Sequence, residues 1–216
     1  MNELHVDSVT KEYDNRRILT DVHLNCRQGE IIALFGRNGS GKSTLMKIIY
    51  GSEPAPTKYV RINEHIIQKG NTKQLINYLP QQSCLPQQLK VETILKLWKK
   101  QADITSLVKL KKVQELQGRT VKQLSWGEKR FLEIALFCHS IAPFILLDEP
   151  FNGLSPILIS DIKGIIIAKS AEKGIIISDH DYQNVLDVAT KLILINQGYT
   201  KPIKTKAELQ ELGYLP

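Results

Sequence analysis

The stretch Gly36-Arg37-Asn38-Gly39-Ser40-Gly41-Lys42-Ser43 constrains this chain more than any other. It fits the spacing G-x-x-x-x-G-K-[ST], and it stands between an apolar run ending at Phe35 and a helical pattern from about Lys42 to Tyr50. Glycines at this spacing let successive backbone N–H groups turn inward around phosphate oxygens. The helix start that follows adds the positive end of its dipole. Lys42 is then expected to reach terminal phosphates, and the Ser43 hydroxyl to ligate Mg²⁺.

The rest of the chain supplies a sheet to carry such a loop. Residues 2–9 and 19–27 alternate as antiparallel strands do, and 58–63 and 76–79 read as further short strands. A lysine-rich helical stretch follows over about 91–113, then a helical stripe over 126–140. Phe144–Leu147, Ile175–Ile177 and Leu192–Ile195 are apolar strands, separated by helical patterns over 156–172 and around Tyr182–Ala189. Continuous apolar strands alternating with helices predict a parallel sheet covered on both faces. Thr205-Lys206-Ala207-Glu208 is a capping box opening a terminal helix. The strand at 144–147 ends in Asp148-Glu149, which puts two carboxylates where open α/β sheets bind ligands. Asp148 suits a Mg²⁺ shell, and Glu149 suits polarising an attacking water.

Composition removes other classes. Apolar residues are 42% and charged residues 24% of 216, which excludes wholesale disorder. The excess of 29 Lys and Arg over 22 Asp and Glu gives +7, which suits an anionic ligand or surface. No apolar run approaches the roughly 18 residues of a spanning helix, and the N-terminus shows no signal-peptide pattern. Cys26, Cys84 and Cys138 form neither a disulfide framework nor a zinc pattern, and are expected to be buried reduced thiols. Of the five histidines, His5, His23, His65 and His139 read as surface or satisfied core residues.

Leu124-Ser125-Trp126-Gly127-Glu128 precedes the two acids, and this ordering resembles the ATP-binding-cassette ATPases over nearly the whole chain. The five residues resemble that family's signature sequence, although Ser125 and Glu128 also form a capping box that needs no ligand. Tyr78-Leu79-Pro80-Gln81 resembles the Q-loop, and Ile176-Ile177-Ser178-Asp179-His180 the strand and switch histidine. Tyr13 is similar to the aromatic residue that stacks on adenine, while a strand tyrosine also commonly just packs on a sheet. The run from Leu124 to Ala135, with Asp148-Glu149-Pro150-Phe151, is similar to the branch holding lipopolysaccharide-transport and branched-chain amino-acid transport ATPases.

The resemblance implies an α/β fold. It has a RecA-like P-loop NTPase core, an N-terminal antiparallel β part and an inserted helical part over about 84–141, all in one domain over 1–216. It implies ATP and Mg²⁺ as ligands. ATP would be held by Tyr13, Gly36, Asn38, Gly39, Ser40, Gly41, Lys42, Ser43 and Thr44, and by Ser125, Gly127 and Glu128 of a second copy. Ser43, Gln81 and Asp148 would hold the metal, and Glu149, His180, Gln81 and Lys42 would carry catalysis. The implied activity is ATP hydrolysis, driving head-to-tail dimerisation of a homodimer or heterodimer on the cytoplasmic face of a membrane. A separate transmembrane subunit would dock in a groove that Leu95, Leu97 and Trp98 either line or leave, forming instead the helical part's own core. A soluble assembly ATPase resembling the iron–sulfur cluster component and a low-turnover regulator are the alternatives. Direct nucleic-acid binding is not expected, because Lys96, Lys99, Lys100, Lys109, Lys111 and Lys112 lack interleaved aromatics beyond Trp98. Two departures stand out: Trp126 replaces a usual glycine, and Ser155 stands where the D-loop usually has aspartate, predicting weaker turnover or coupling.

Overall fold

The computed structural model describes residues 2–67 and 74–214. Strand β1 (Glu3–Tyr13) turns back into β2 (Arg16–Arg27) through Asp14 and Asn15. Both turn residues have positive φ, at 47° and 62°. Two consecutive left-handed residues match the twist of an antiparallel hairpin, and Asp and Asn tolerate that conformation best after glycine. Then follow β3 (Ile31–Phe35), α1 (Lys42–Tyr50), β4 (Thr57–Ile62), β5 (His65–Ile66) and β6 (Ile76–Leu79). A helical stretch comprises α2 (Val91–Trp98), α3 (Ile104–Leu107), α4 (Lys111–Leu116) and α5 (Trp126–Cys138). The chain finishes with β7 (Phe144–Asp148), α6 (Pro156–Ser170), β8 (Gly174–Ser178), α7 (Tyr182–Leu186), β9 (Lys191–Asn196), β10 (Tyr199–Ile203) and α8 (Lys206–Glu211).

Among the described residues the strands form one sheet in the order β5-β4-β1-β2-β10-β9-β3-β8-β7-β6. The half from β9 to β6 is parallel, and β3, β7 and β8 are buried along their whole length. β2 alternates buried and exposed, as a strand covered on one face does. Two cores flank the sheet. One packs α1 against the N-terminal strands, and the other joins α5, α6 and the helical stretch to the opposite face.

Gly174 opens β8 beside Phe144 and Cys26. A Cβ there would lie 2.6 Å from Phe144 Cε1 and 2.8 Å from Cys26 Sγ. Gly174→Ala is therefore expected to destabilise the protein by about 1–3 kcal/mol through overpacking. Denaturant unfolding checks this, and an unchanged midpoint would show that the ring moves aside freely.

Three expectations need correction. The single helix over 91–113 is broken, because Ala102 bridges Ser140, Asp103 N donates to His139 O, and the Asp103 side chain caps α3. Cys26 and Cys138 are buried, but Cys84 is exposed in the loop after Gln81. The expected strands also omit β10, whose Pro202 reads as a breaker. Pro202 is tolerated because β10 pairs with β2 only at Tyr199↔Asp21, so no donor is missed at that edge. Among the described residues no helix is long and apolar enough to cross a membrane.

Candidate functional site

β3 delivers the chain to the C-terminal edge of the parallel sheet, and the glycine-rich loop wraps back to α1. Gly41 stands at φ 101° with Leu19 Cδ2 2.8 Å from where a Cβ would be, so only glycine fits. α1 opens with no side-chain cap and no acid in its first turn, which leaves its N–H groups free for an anion. Tyr13, Ile18, Asn38–Thr44, Glu149 and His180 line one cleft of about 300 Å³. Gly36 lies behind it, with φ 151° and its backbone close to Ser40 and Ile195 O. The Lys42 ammonium folds inward and donates to Gly36 O at 2.6 Å and Arg37 O at 3.2 Å. Its burial pushes the pKa down, opposed by the charges of Glu149 and Asp148.

The two acids are held differently. Asp148 is buried and saturated: Ser43 Oγ and Ser178 Oγ donate to Oδ1 at 3.0 and 2.7 Å, and Tyr78 OH donates to Oδ2 at 2.9 Å. Glu149 follows at φ 50°, a left-handed conformation unusual outside glycine. Its carboxylate faces the cleft rim, 2.8 Å from His180 Nε2, and accepts from Gln81 Nε2 at 2.6 Å and Asn152 Nδ2 at 3.0 Å. The structure therefore brings Lys42, Ser43, Gln81, Asp148, Glu149 and His180 together. Tyr13 joins them at the outer edge, its hydroxyl donating to Glu53 and the Lys11 ammonium 4.6 Å from its ring.

Ser125, Gly127 and Glu128 are not in that cleft. They start α5, where Ser125 Oγ accepts from Glu128 N and Glu128 Oε2 accepts from Ser125 N. Ser125 and Glu128 line a separate cleft of about 720 Å³ with Ser155 and Ile157. Both Glu128 oxygens are committed, because Arg119 grips them at 2.8 and 3.0 Å. Gly127 has a packing reason of its own, since a Cβ there would meet Leu158 Cδ1 at 2.7 Å. Trp126 is exposed and donates through Nε1 to Asn152 O, joining the start of α5 to the loop before α6. Ser155 caps α6.

The Arg119 guanidinium holds the Glu128 carboxyl down to about 2, well below its ordinary 4.5. A depressed carboxyl contributes stability in full above about 4.5 and loses it as pH falls towards 2. The melting temperature of Arg119→Ala should therefore lie furthest below the parent's near pH 6–7, and the gap should narrow below about pH 4. A gap that widens with acid would contradict the assignment.

A groove of about 410 Å³ between the sheet core and the helical stretch is lined by Tyr50, Tyr78, Trp98, Phe137 and Ile141, among others. Of Leu95, Leu97 and Trp98, for which the sequence left the groove and the helical part's own core open, Trp98 lines the groove. Leu95 is in the core, and Leu97 is exposed elsewhere on α2. Sequence reasoning assigned no role to Asn152, Tyr78, Ser178, Arg130 or Glu133. Tyr78 and Ser178 end or nearly end the strands flanking β7, inside the motifs that lead to Gln81 and His180.

A phosphate cradle at the carboxyl edge of a parallel sheet, beside a saturated aspartate and a glutamate, marks the P-loop NTPase fold. Residues 19–152 match the model of the ABC transporter family, and the chain belongs to that family. It is 30% identical to the lipopolysaccharide export system ATP-binding protein LptB of Escherichia coli K12, over 97% of this chain and 93% of that one. It is 29% identical to the sulfate/thiosulfate import ATP-binding protein CysA of Bacillus cereus, over 96% of this chain and 63% of that one. In structure it is similar to an ATP-binding subunit of an ABC transporter (TM-score 0.83, 23% identity, 98% of this chain and 93% of that one). A nucleotide-free ATP-binding cassette gives the same TM-score, 0.83, at 21% identity, covering 100% and 96%. These two likenesses carry the fold. The family carries the activity: the chain binds ATP and is an ATPase, the motor subunit of an ABC transporter.

Proposed function

We propose that two copies of this domain close head to tail on two ATP molecules, each copy's Ser125 and Gly127 completing the site on the other's Gly36–Thr44 loop. The separation of the two half-sites within one chain carries this reading. The phosphate loop and Glu149 line one cleft, and Ser125 and Ser155 line another. A two-fold pairing of such surfaces makes two equivalent sites. Trp126 and Ile157, exposed apolar residues beside Ser125, suit burial at that seam. A homodimer satisfies the geometry, and a heterodimer with a similar chain would do so equally.

In this reading the free N–H groups of α1 and Lys42 bind the phosphates, and Tyr13 takes the purine. Ser43 Oγ, anchored by the Asp148 carboxylate, and Gln81 Oε1 are hard oxygen donors. Among the described residues no group of three or more acidic, His or Cys ligands could hold a metal ion. Mg²⁺ takes few protein ligands and shares the substrate's phosphates. When bound, it would neutralise charge developing on the transferred phosphoryl group. Glu149 would accept a proton from the attacking water, and His180, Gln81 and Asn152 would orient its carboxylate. ATP contacts available only in the closed pair would shift the population towards closure, and their loss on hydrolysis would reopen it.

The groove around Trp98 and Phe137 suits a helix of a membrane-embedded partner, whose aromatic or aliphatic residues would bury Ile141. On this reading the protein works on the inner face of a membrane. The lipopolysaccharide exporter and the sulfate importer stand at near-equal identity, so the reading stops at the motor and leaves cargo to that partner.

Mixing tests the arrangement in trans. Lys42→Met and Ser125→Arg chains should each be inactive alone. Mixed, they form dimers with one intact composite site, and phosphate release should return. A mixture as silent as its parents, or an active Ser125→Arg chain, would overturn the head-to-tail assignment.

A further inference from the structure

Arg130 and Glu133 are large charged residues with 1% and 0% exposure, and no step described above uses them. They lie one turn apart on α5, 3.5 Å from each other. Burying a charge pair is costly unless its hydrogen bonds are well used. Here the two terminal guanidinium nitrogens and Glu133 Oε1 are used on two segments remote in sequence, while Arg130 Nε and Glu133 Oε2 have no hydrogen-bond partner among the described residues. Arg130 NH2 donates to Asp148 O at 2.6 Å and Glu149 O at 3.1 Å, and NH1 donates to Pro80 O at 2.7 Å. Glu133 Oε1 accepts from Ser83 Oγ and Cys84 N, both at 2.7 Å. One helix thereby grips the backbone on both sides of Gln81, and also the carbonyl of Glu149 in its left-handed conformation.

We propose that Arg130 and Glu133 are positioning residues that fix Gln81 and Glu149 to the helix whose first turn carries Ser125 and Gly127. The planar guanidinium spans three carbonyls at once, which a point-charge ammonium cannot do. A shift of α5, set by what Ser125 meets in the partner, is thereby passed to Gln81 and Glu149 of the same chain. The proposal rests on the reading of Glu149 and Gln81 given above. It adds a path by which occupancy of one composite site is felt at the other.

The test compares Arg130→Lys, Arg130→Met and Ser83→Ala in the full chain, with Glu149→Gln as the control, by steady-state ATPase and thermal melting. Arg130→Lys should lower kcat about ten-fold and Arg130→Met about a hundred-fold, the scale of a 1 Å misplacement. Ser83→Ala should lower kcat about three-fold, and KM for ATP should stay within about two-fold throughout. A purely structural pair would lower the melting temperature and leave kcat intact, and that outcome overturns the proposal. A rise in KM matching the fall in kcat overturns it too. Should Arg130→Met fail to fold, Arg130→Lys and Ser83→Ala still decide. If both keep parental kcat while Glu149→Gln is inactive, the positioning role is wrong and the reading of Glu149 stands. If Glu149→Gln hydrolyses ATP like the parent, that reading falls and the proposal with it.

Discussion

Glu149→Gln is expected to cut ATP hydrolysis by about 10²–10⁴-fold, the usual scale of a lost general base. The substitution is close to isosteric. A glutamine oxygen can still accept from Gln81 and Asn152, which donate to the carboxylate at 2.6 and 3.0 Å. Its amide can still meet His180. Geometry and phosphate binding therefore survive while the proton acceptor is gone. ATP should bind with parental affinity, and, because the contacts that hold the pair closed are no longer removed, a dimer should accumulate. Phosphate release and sedimentation in the presence of ATP measure both halves. Parental turnover would remove Glu149 from the chemistry. A dead variant that stays monomeric at saturating ATP would remove closure from the mechanism.

Lys42→Met should separate affinity from stability. In the resting chain the ammonium is buried against Gly36 O and Arg37 O, and burial disfavours its charged form. Methionine removes a desolvated cation at similar length, at the cost of the contacts with two carbonyls. The melting temperature without nucleotide should move by only a few degrees. ATP binding should weaken by about 10- to 150-fold, the worth of one charge-assisted hydrogen bond of about 1.5–3 kcal/mol. The rise in melting temperature that ATP gives the parent should then vanish at concentrations that saturate the parent. An undiminished rise would mean that the loop's N–H groups hold the phosphates without Lys42.

Trp126 and Ser155 bear on turnover in a way their residue types alone do not reveal. Trp126 donates to Asn152 O, and Asn152 donates to Glu149, so the bulky residue in the first turn of α5 is one step from the carboxylate. Ser155 lacks the charge usual at its position but keeps the cap on α6.

The sequence alone determined the phosphate loop, the two N-terminal antiparallel strands, the buried parallel strands and the strand ending in two acids. Each is written in local terms: glycines where backbone must turn, period-2 or continuous apolar runs, and a cap three residues before its partner. The resemblance added the order of Gln81, Ser125 and His180 around them. Tertiary structure decided the rest. It broke the expected helix over 91–113, because the pairings of Ala102 and Asp103 lie near 140 in sequence. It left Leu97 out of the groove and Cys84 in the open. It also joined Arg130 and Glu133 to Pro80, Ser83 and Glu149, contacts 19 to 50 residues apart in the chain. Local sequence encodes which backbone states are cheap. Which remote carbonyl a buried guanidinium meets depends on how whole layers pack, and no window of neighbouring residues contains that information.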